Sequence, residues 1–263
     1  MVRSLLLPLA LIVTQLTPLK ATAADLTQQQ VDAMIKVIDQ RQSAQGAFKA
    51  QFHLEWKAVG QSDVVLEGSL WRRDDGLDDR RLVLLFDKPK AERGKGYLRL
   101  NHNLWYYDVT VGRWERRTER ARIAGTNSRR SDLDSWNLQS NYSARFLGDQ
   151  KVGALMAHQL ELKVRGGADV PFFLVHLWVG TDMNPVKRQE YTASQKLLRT
   201  TFFLHWKKVF SEEKKADIWY PEETRIYEDV GTPDTTLLRM TDPDVSKLET
   251  NVFTKAWLES KSL

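Results

Sequence analysis

The chain has 263 residues, no cysteine, nine tryptophans and a formal net charge of +5. The lack of cysteine excludes disulfide frameworks, thiolate metal sites and thiol nucleophiles. Hydrophobic residues make up 42% and charged residues 28%, a composition that excludes disorder over most of the chain.

The first 23 residues are predicted to be a secretory signal peptide, which leaves residues 24–263 as the mature chain. Arg3 supplies the positive charge, Leu5–Val13 the apolar stretch, and Ala21–Ala23 the small residues of a cleavage site. A membrane anchor is the weaker alternative, because polar residues interrupt the apolar run before the roughly 20 residues that a span needs. Export without any cysteine predicts a soluble periplasmic protein of a Gram-negative bacterium.

Leu26–Ser43 has apolar residues at helical spacing and Thr27 as a candidate N-cap, so it is predicted to be a helix. From Phe48 to Ala58 apolar and polar residues alternate, which predicts a half-buried strand. Similar runs follow, separated by turn residues. They are Val64–Arg72, Arg80–Phe86, Gly96–Asn101, Leu104–Val109, Arg113–Thr118, Gln159–Val164, Phe172–Val179, Val186–Ala193, Leu198–Val209, Ala216–Glu228 and Thr235–Met240.

This series of strands predicts one large antiparallel sheet in meander order, forming a single domain. Strands and helices do not alternate along the chain, which argues against a doubly wound fold. Arg120–Gly148 interrupts the series, and we interpret it as a long irregular segment with a short helix near Tyr142–Leu147. A second short helix is predicted at Val252–Glu259.

Aromatic and aliphatic residues of these strands are the candidate ligand contacts. Ordinary core packing is the favoured interpretation for any single one of them. Taken together, they exceed what two short helices can cover on so large a sheet, and the surplus fits a cavity for an apolar ligand. The candidates are Phe52, Trp56, Leu70, Leu84, Phe86, Leu98, Trp105, Tyr107, Trp178, Phe203 and Trp206.

A cluster of arginines is the second candidate site. It comprises Arg113, Arg116, Arg117, Arg120 and Arg122. The cluster is interpreted either as a solvated strand face or as a patch for anionic lipid headgroups or an acidic partner. Nucleic acid is not expected as a partner, because glutamates interleave with the arginines and the protein is predicted to be exported.

No motif of enzymatic chemistry is found. The five histidines lack metal-type spacing, and no nucleophile elbow, P-loop or dinucleotide-binding motif occurs. We therefore expect no catalytic residue, no metal and no cofactor.

Several short motifs together resemble the LolA-like family of outer-membrane lipoprotein-sorting proteins, over most of the mature chain. They are Phe86–Pro89, Gly94–Arg99, Leu104–Tyr107, the arginines from Arg113 to Arg120, Ala124–Ser128, Ser131–Leu133, Leu177–Val179, Pro185–Arg188, Tyr191, Lys196–Leu198, Val252–Thr254 and Trp257–Leu258. The resemblance implies a mainly β fold: a strongly curved, unclosed antiparallel half-barrel whose helices cover the concave side. The chain departs from the best-known carriers in its length and in the Arg120–Gly148 segment, and no cargo-gating residue is transferred to it.

The resemblance also implies a non-enzymatic periplasmic carrier that holds a lipid or the acyl chains of a lipoprotein in the concave face, for transfer toward the outer membrane. Membrane contact would be transient, and an inner-membrane transporter is a possible partner. The alternative is a sensor or adaptor of an inner-membrane lipid exporter or signalling complex, which binds protein instead of carrying lipid. An enzyme acting on lipids or glycans is the third hypothesis, supported only by isolated polar residues.

Overall fold

A computed structural model gives the fold. It describes residues 25–43, 46–75, 79–118, 121–129, 132, 136–168, 170–231 and 233–262. The predicted signal peptide, residues 1–23, lies outside the described residues.

The described residues form thirteen strands and three α-helices. The strands are β1 (Gly46–Ala58), β2 (Val64–Asp74), β3 (Arg80–Lys88), β4 (Gly96–Leu100), β5 (Asn103–Asp108), β6 (Arg113–Arg117), β7 (Tyr142–Val152), β8 (Leu155–Val164), β9 (Leu174–Gly180), β10 (Pro185–Tyr191), β11 (Leu197–Ser211), β12 (Ala216–Glu228) and β13 (Asp234–Asp244). The helices are α1 (Gln28–Ser43), α2 (Leu138–Asn141) and α3 (Lys255–Lys261), with 3-10 turns at Ile123–Gly125 and Thr250–Phe253.

All these strands join one antiparallel sheet in the order β6-β5-β4-β3-β2-β1-β13-β12-β11-β10-β9-β8-β7. Hairpins connect neighbours along each half, and β1 pairs with β13 at the centre. Strands β6 and β7 are the two edges of this curved sheet and do not pair with each other, so the sheet is not closed. The predicted mainly β, unclosed antiparallel sheet is confirmed.

The two faces of the sheet follow from the strand register. Leu54 lies opposite Leu238 on one side and Leu66 on the other, and Leu84 lies opposite Tyr97. We call the face that carries these residues the inner face, because the segment after β6 crosses it. We call the opposite face the outer face. It carries the residues one position away along each strand, such as the cross-strand neighbours Val83 and Leu98.

Helix α1 covers one half of the inner face. Its apolar stripe, which includes Val31, Ile35 and Ile38, packs against Leu160 and Leu177 of β8 and β9. At its start, the backbone N–H of Gln30 donates to the Thr27 hydroxyl at 3.4 Å, and the Thr27 N–H donates to the Gln30 side chain at 2.8 Å. The predicted helix and its N-cap are therefore confirmed.

The C-terminal helix lies on the other side of the sheet. Leu258 of α3 and Phe253 of the preceding turn pack with Val83 and Leu98 on the outer face. The expectation that the short helices all cover the concave side is thus met by α1 and not by α3.

One local prediction is wrong. Tyr142–Leu147 does not form a short helix, because it begins strand β7, and the helical turn precedes it at Leu138–Asn141. Tyr142 and Ala144 alternate with polar residues and pair with Val164 and Leu162 of β8, so the long-range ladder overrides the weak local pattern. None of the described helices is long and apolar enough to cross a membrane.

Candidate functional site

An open cavity of about 640 Å³ lies at the end of the inner face that α1 does not cover. Its wall is formed by the start of β2, the β3–β4 turn, β4, β5 and the segment after β6. Much of the wall is apolar, contributed by Val64, Leu66, Pro89, Tyr97, Tyr106 and Ala124. A cavity of this size and lining suits a small apolar or amphipathic ligand.

Two tyrosines connect the cavity to the core of the sheet. The rings of Tyr106 and Tyr97 lie 5.0 Å apart, and Tyr97 contacts the edge of Phe86, which in turn contacts Phe52. Burial raises the pKa of both phenols, so their hydroxyl groups stay neutral at physiological pH. We call Tyr106, Tyr97, Phe86 and Phe52 the aromatic row. It gives the cavity an uncharged, rigid floor.

Charged side chains line the cavity beside this apolar floor. They are Asp63, Glu92, Lys95, Arg117 and Arg122. Lys95 pairs with Glu92 at 3.0 Å, whereas the guanidinium of Arg117 lies 5.2 Å above the Tyr106 ring and bridges to Glu115. Apolar and basic groups are thus adjacent, an arrangement that suits a ligand with an apolar body and a polar or anionic end.

The segment 121–129 forms one side of the cavity and crosses the inner face. The Ala124 N–H donates to the Tyr97 hydroxyl at 2.9 Å, and the Asn127 N–H donates to the Thr236 hydroxyl at 3.1 Å. Arg129 reaches Glu228 of β12 at 3.0 Å. These anchors lie on β4, β13 and β12, so hydrogen bonds to three strands fix the segment while its Ile123 packs in the core of the inner face.

A buried charged network continues from this segment. Asp132 accepts hydrogen bonds from Arg199 of β11 and Arg188 of β10, and Arg199 also pairs with Glu190. The Arg199 side chain is 0% exposed and the Asp132 side chain 4% exposed. Because two arginines face two carboxylates, the network is neutral overall, as buried charges require.

The network also sets the protonation of Asp132. Burial by itself would raise the pKa of this carboxyl group, but the charges of Arg199 and Arg188 and the hydrogen bonds outweigh burial and hold the pKa below its usual range. Asp132 is therefore ionised throughout the physiological pH range.

The predicted cavity residues divide between the two faces. Phe52, Trp56, Leu70, Leu84, Phe86 and Phe203 lie on the inner face by their register. Leu98, Trp105, Tyr107 and Trp178 lie on the outer face. Trp206 follows the backbone irregularity at His205 and donates its indole N–H to the Pro185 carbonyl at 2.7 Å. Ligand contact by these eleven residues stays a prediction, and none of them lines the open cavity.

The predicted arginine cluster also divides. Arg117 and Arg122 line the cavity, whereas Arg116 lies opposite Trp105 on the outer face. Arg113 is exposed at the start of β6, and Arg120 lies outside the described residues. One sequence cluster therefore supplies two different surfaces.

Sequence reasoning did not select Val64, Tyr97 and Tyr106 as cavity residues. Tyr97 and Tyr106 lie one position away from Leu98 and Trp105 in the same motifs. The sequence alone does not tell which of these neighbouring residues face the cavity. Among the described residues, no group of three or more His, Cys, Asp or Glu is placed to hold a metal ion.

A family model described as an uncharacterized protein matches residues 78–260. The search of curated proteins found no match.

Among solved structures, one similar chain is a Vibrio parahaemolyticus domain assigned to outer membrane lipoprotein sorting, with a TM-score of 0.75 and 20% identity over 89% of this chain and 100% of that one. A DUF1329 family protein from Desulfovibrio piger has a TM-score of 0.75 and 16% identity over 88% and 98% of the two chains. A LolA superfamily protein from Nitrosomonas europaea has a TM-score of 0.67 and 19% identity over 86% and 98%. At these identities the likeness is one of fold, and it confirms the LolA-like resemblance at that level.

Proposed function

We propose that this chain, which belongs to the family whose model matches residues 78–260 and has a LolA-like fold, is a carrier in the periplasm that binds an apolar lipid, or the acyl chains of a lipoprotein, for transfer toward the outer membrane. The observation that supports the proposal most directly is the open cavity of about 640 Å³ on the inner face. We infer that the ligand occupies this cavity, beside the aromatic row, and that Phe52 and Phe86 support the cavity from behind.

The lining suits binding with release. Each methylene buried against Val64, Leu66 or Tyr106 contributes about 0.8 kcal/mol, so a single acyl chain gains enough to bind and can still dissociate. Arg117 and Arg122 lie where the polar end of such a ligand would remain close to water. The chemistry required is shielding of apolar surface, and no reacting group is needed.

The test begins with protein purified from a bacterial periplasm and examined by native mass spectrometry, followed by organic extraction. A co-purifying lipid at a stoichiometric level, or saturable one-to-one binding of the fluorescent fatty acid cis-parinaric acid, supports the carrier. If neither is found, the carrier proposal is overturned. If crosslinking in cells then captures an inner-membrane protein, the adaptor alternative replaces it.

A further inference from the structure

Four tryptophans and three basic residues form a second surface, on the outer face beside α3. The tryptophans are Trp71, Trp105, Trp114 and Trp257, and each is half-buried. The rings of Trp71 and Trp257 meet edge to face at 4.9 Å, and Trp114 packs on Tyr107 at 4.9 Å. We call this surface, together with Arg116, Lys255 and Lys261, the tryptophan face.

The basic residues of the tryptophan face lie against its rings. The Lys255 ammonium is 5.3 Å from the centre of the Trp105 ring and 5.1 Å from that of Trp114, and the Lys261 ammonium is 5.9 Å from that of Trp257. Arg116, opposite Trp105 in the register, is exposed and donates to the Asn103 amide oxygen at 2.6 Å. Glu259 of α3 lies beside the tryptophan face and accepts the indole N–H of Trp114 at 2.6 Å.

Tryptophan combined with lysine and arginine suits the boundary between water and a lipid bilayer. An indole ring has an apolar body and a polar N–H, so it is favoured at the level of the headgroups. Lysine and arginine place their methylene stems along apolar surface and keep their charges in water, where they attract anionic headgroups. Half-buried indoles with cations against their rings therefore fit the surface of an anionic bilayer.

The tryptophan face adjoins the cavity. Arg116 and Arg117 are consecutive on the edge strand β6, and their side chains lie on opposite faces of the sheet. Arg116 belongs to the tryptophan face, and Arg117 lines the cavity. A bilayer that contacts the tryptophan face therefore lies close to strand β6, whose Arg117 lines the cavity.

We propose that the tryptophan face docks this protein on the surface of a bilayer containing anionic phospholipid. The inference goes beyond the proposed function, which concerns the ligand in the cavity, and it relies on that function only for its biological purpose. It also assigns a surface to the transient membrane contact that the sequence resemblance implied.

The test is flotation of the full chain with vesicles of 30% phosphatidylglycerol and 70% phosphatidylethanolamine, against vesicles of phosphatidylcholine alone. We expect binding to the anionic vesicles that weakens as salt is added, and little binding to the neutral ones. The tryptophan emission should shift to shorter wavelength on binding, and brominated phosphatidylglycerol should quench it.

A triple variant with Arg116→Gln, Lys255→Gln and Lys261→Gln should bind the anionic vesicles roughly 100-fold more weakly, because each basic residue near such a surface accounts for about fivefold. The matched control has Lys36→Gln, Lys151→Gln and Lys196→Gln, three exposed lysines on α1, β7 and the β10–β11 turn. The control loses the same total charge and should bind within about threefold of the unmodified protein.

A double variant, Trp105→Phe with Trp257→Phe, should retain the packing of the surface but show less quenching by the brominated lipid. The single variant Trp178→Phe is its control and should be quenched as the unmodified protein is. Equal losses in the two charge variants, or self-association of the protein without vesicle binding, overturn the proposal. Binding of cis-parinaric acid is measured without vesicles, so failure of bilayer docking and failure of the carrier function are distinguished.

Discussion

The two halves of the inner face are built from the same sheet but are covered in different ways. Over β7–β9, the stripe of α1 packs on Leu160 and Leu177, and both are 0% exposed. Over β1–β5, the cover is the segment 121–129, which buries Ile123 in the core and is held by hydrogen bonds to Tyr97 and Thr236. The helix fills its half, whereas the segment leaves a cavity of about 640 Å³.

The difference separates a half filled by a helix from a half with an open cavity, in which we propose that the ligand binds. An apolar helical stripe removes water from the surface below it and gives a close-packed core. The segment 121–129 buries Ile123 in the core of its half and is also held by hydrogen bonds, and it leaves an open cavity beside Tyr97 and Tyr106. The buried residues of both halves are therefore expected to tolerate few substitutions, whereas partly exposed residues of the cavity lining, such as Val64, should tolerate substitutions that change ligand affinity.

The largest effect is expected where the two halves meet, at Asp132. In Asp132→Asn, the Arg199 and Arg188 guanidinium groups lose one of their two buried carboxylates, so the free energy of unfolding should fall by about 3–5 kcal/mol. Urea unfolding followed by tryptophan fluorescence measures it. The control Asp149→Asn breaks an exposed contact with His158 and should cost less than about 1 kcal/mol. Equal losses in the two variants would contradict this role of the network.

The same carboxyl group predicts a pH dependence. The folded pKa of Asp132 is depressed, so its contribution to stability is complete above about pH 4, near the ordinary pKa, and is lost as the pH falls through the folded value. Thermal unfolding between pH 2 and pH 6 should show a smaller acid loss in Asp132→Asn than in the unmodified protein. If stability falls equally with decreasing pH in the two proteins, groups other than Asp132 determine the loss of stability in acid.

The helix-covered half is probed by Ile38→Ala. Ile38 is 1% exposed, and its truncation leaves a cavity under α1, so the free energy of unfolding should fall by about 2–5 kcal/mol. Binding of cis-parinaric acid by the remaining folded protein should be unchanged. Lys36→Ala, on the exposed side of the same helix, is the control and should change stability by less than about 0.5 kcal/mol.

The cavity half is probed by filling it. Val64→Trp places an indole in the cavity and should weaken binding of cis-parinaric acid at least tenfold, or about 1.4 kcal/mol, with a change in stability below about 1 kcal/mol. Val230→Trp adds the same group at an exposed position on another turn and should bind as the unmodified protein does. If Val64→Trp also binds normally, the ligand is not in this cavity.

The smallest effect is expected from Tyr97→Phe. The substitution removes the hydroxyl that accepts from the Ala124 N–H, so the free energy of unfolding should fall by about 1 kcal/mol and amide exchange at Ala124 should accelerate. Tyr106→Phe removes a phenol hydroxyl from the same cavity and serves as the control. Faster exchange at Ala124 in both variants would show that the hydrogen bond is not what holds the segment.

Strands with strong alternation were predictable, and those without it were not. Phe48–Ala58 is strand β1 almost to the residue, and its even-numbered apolar positions lie on the inner face. Strand β7 was missed because its alternation ends at Phe146, where the register shifts before Gly148 and polar residues follow, so pairing with β8 determines the strand. The charged network was equally inaccessible, since Asp132 and Arg199 are 67 residues apart in sequence.

The sequence by itself determined the mainly β class, the amphipathic N-terminal helix and the lack of thiol chemistry, because periodicity and composition are local properties. Only the tertiary structure decided which face each aromatic residue occupies, that α3 covers the outer face, and that Tyr97 and Tyr106 rather than Leu98 and Trp105 line the cavity. The physical reason is that side chains on a strand alternate between faces, and which face becomes concave depends on contacts between distant segments.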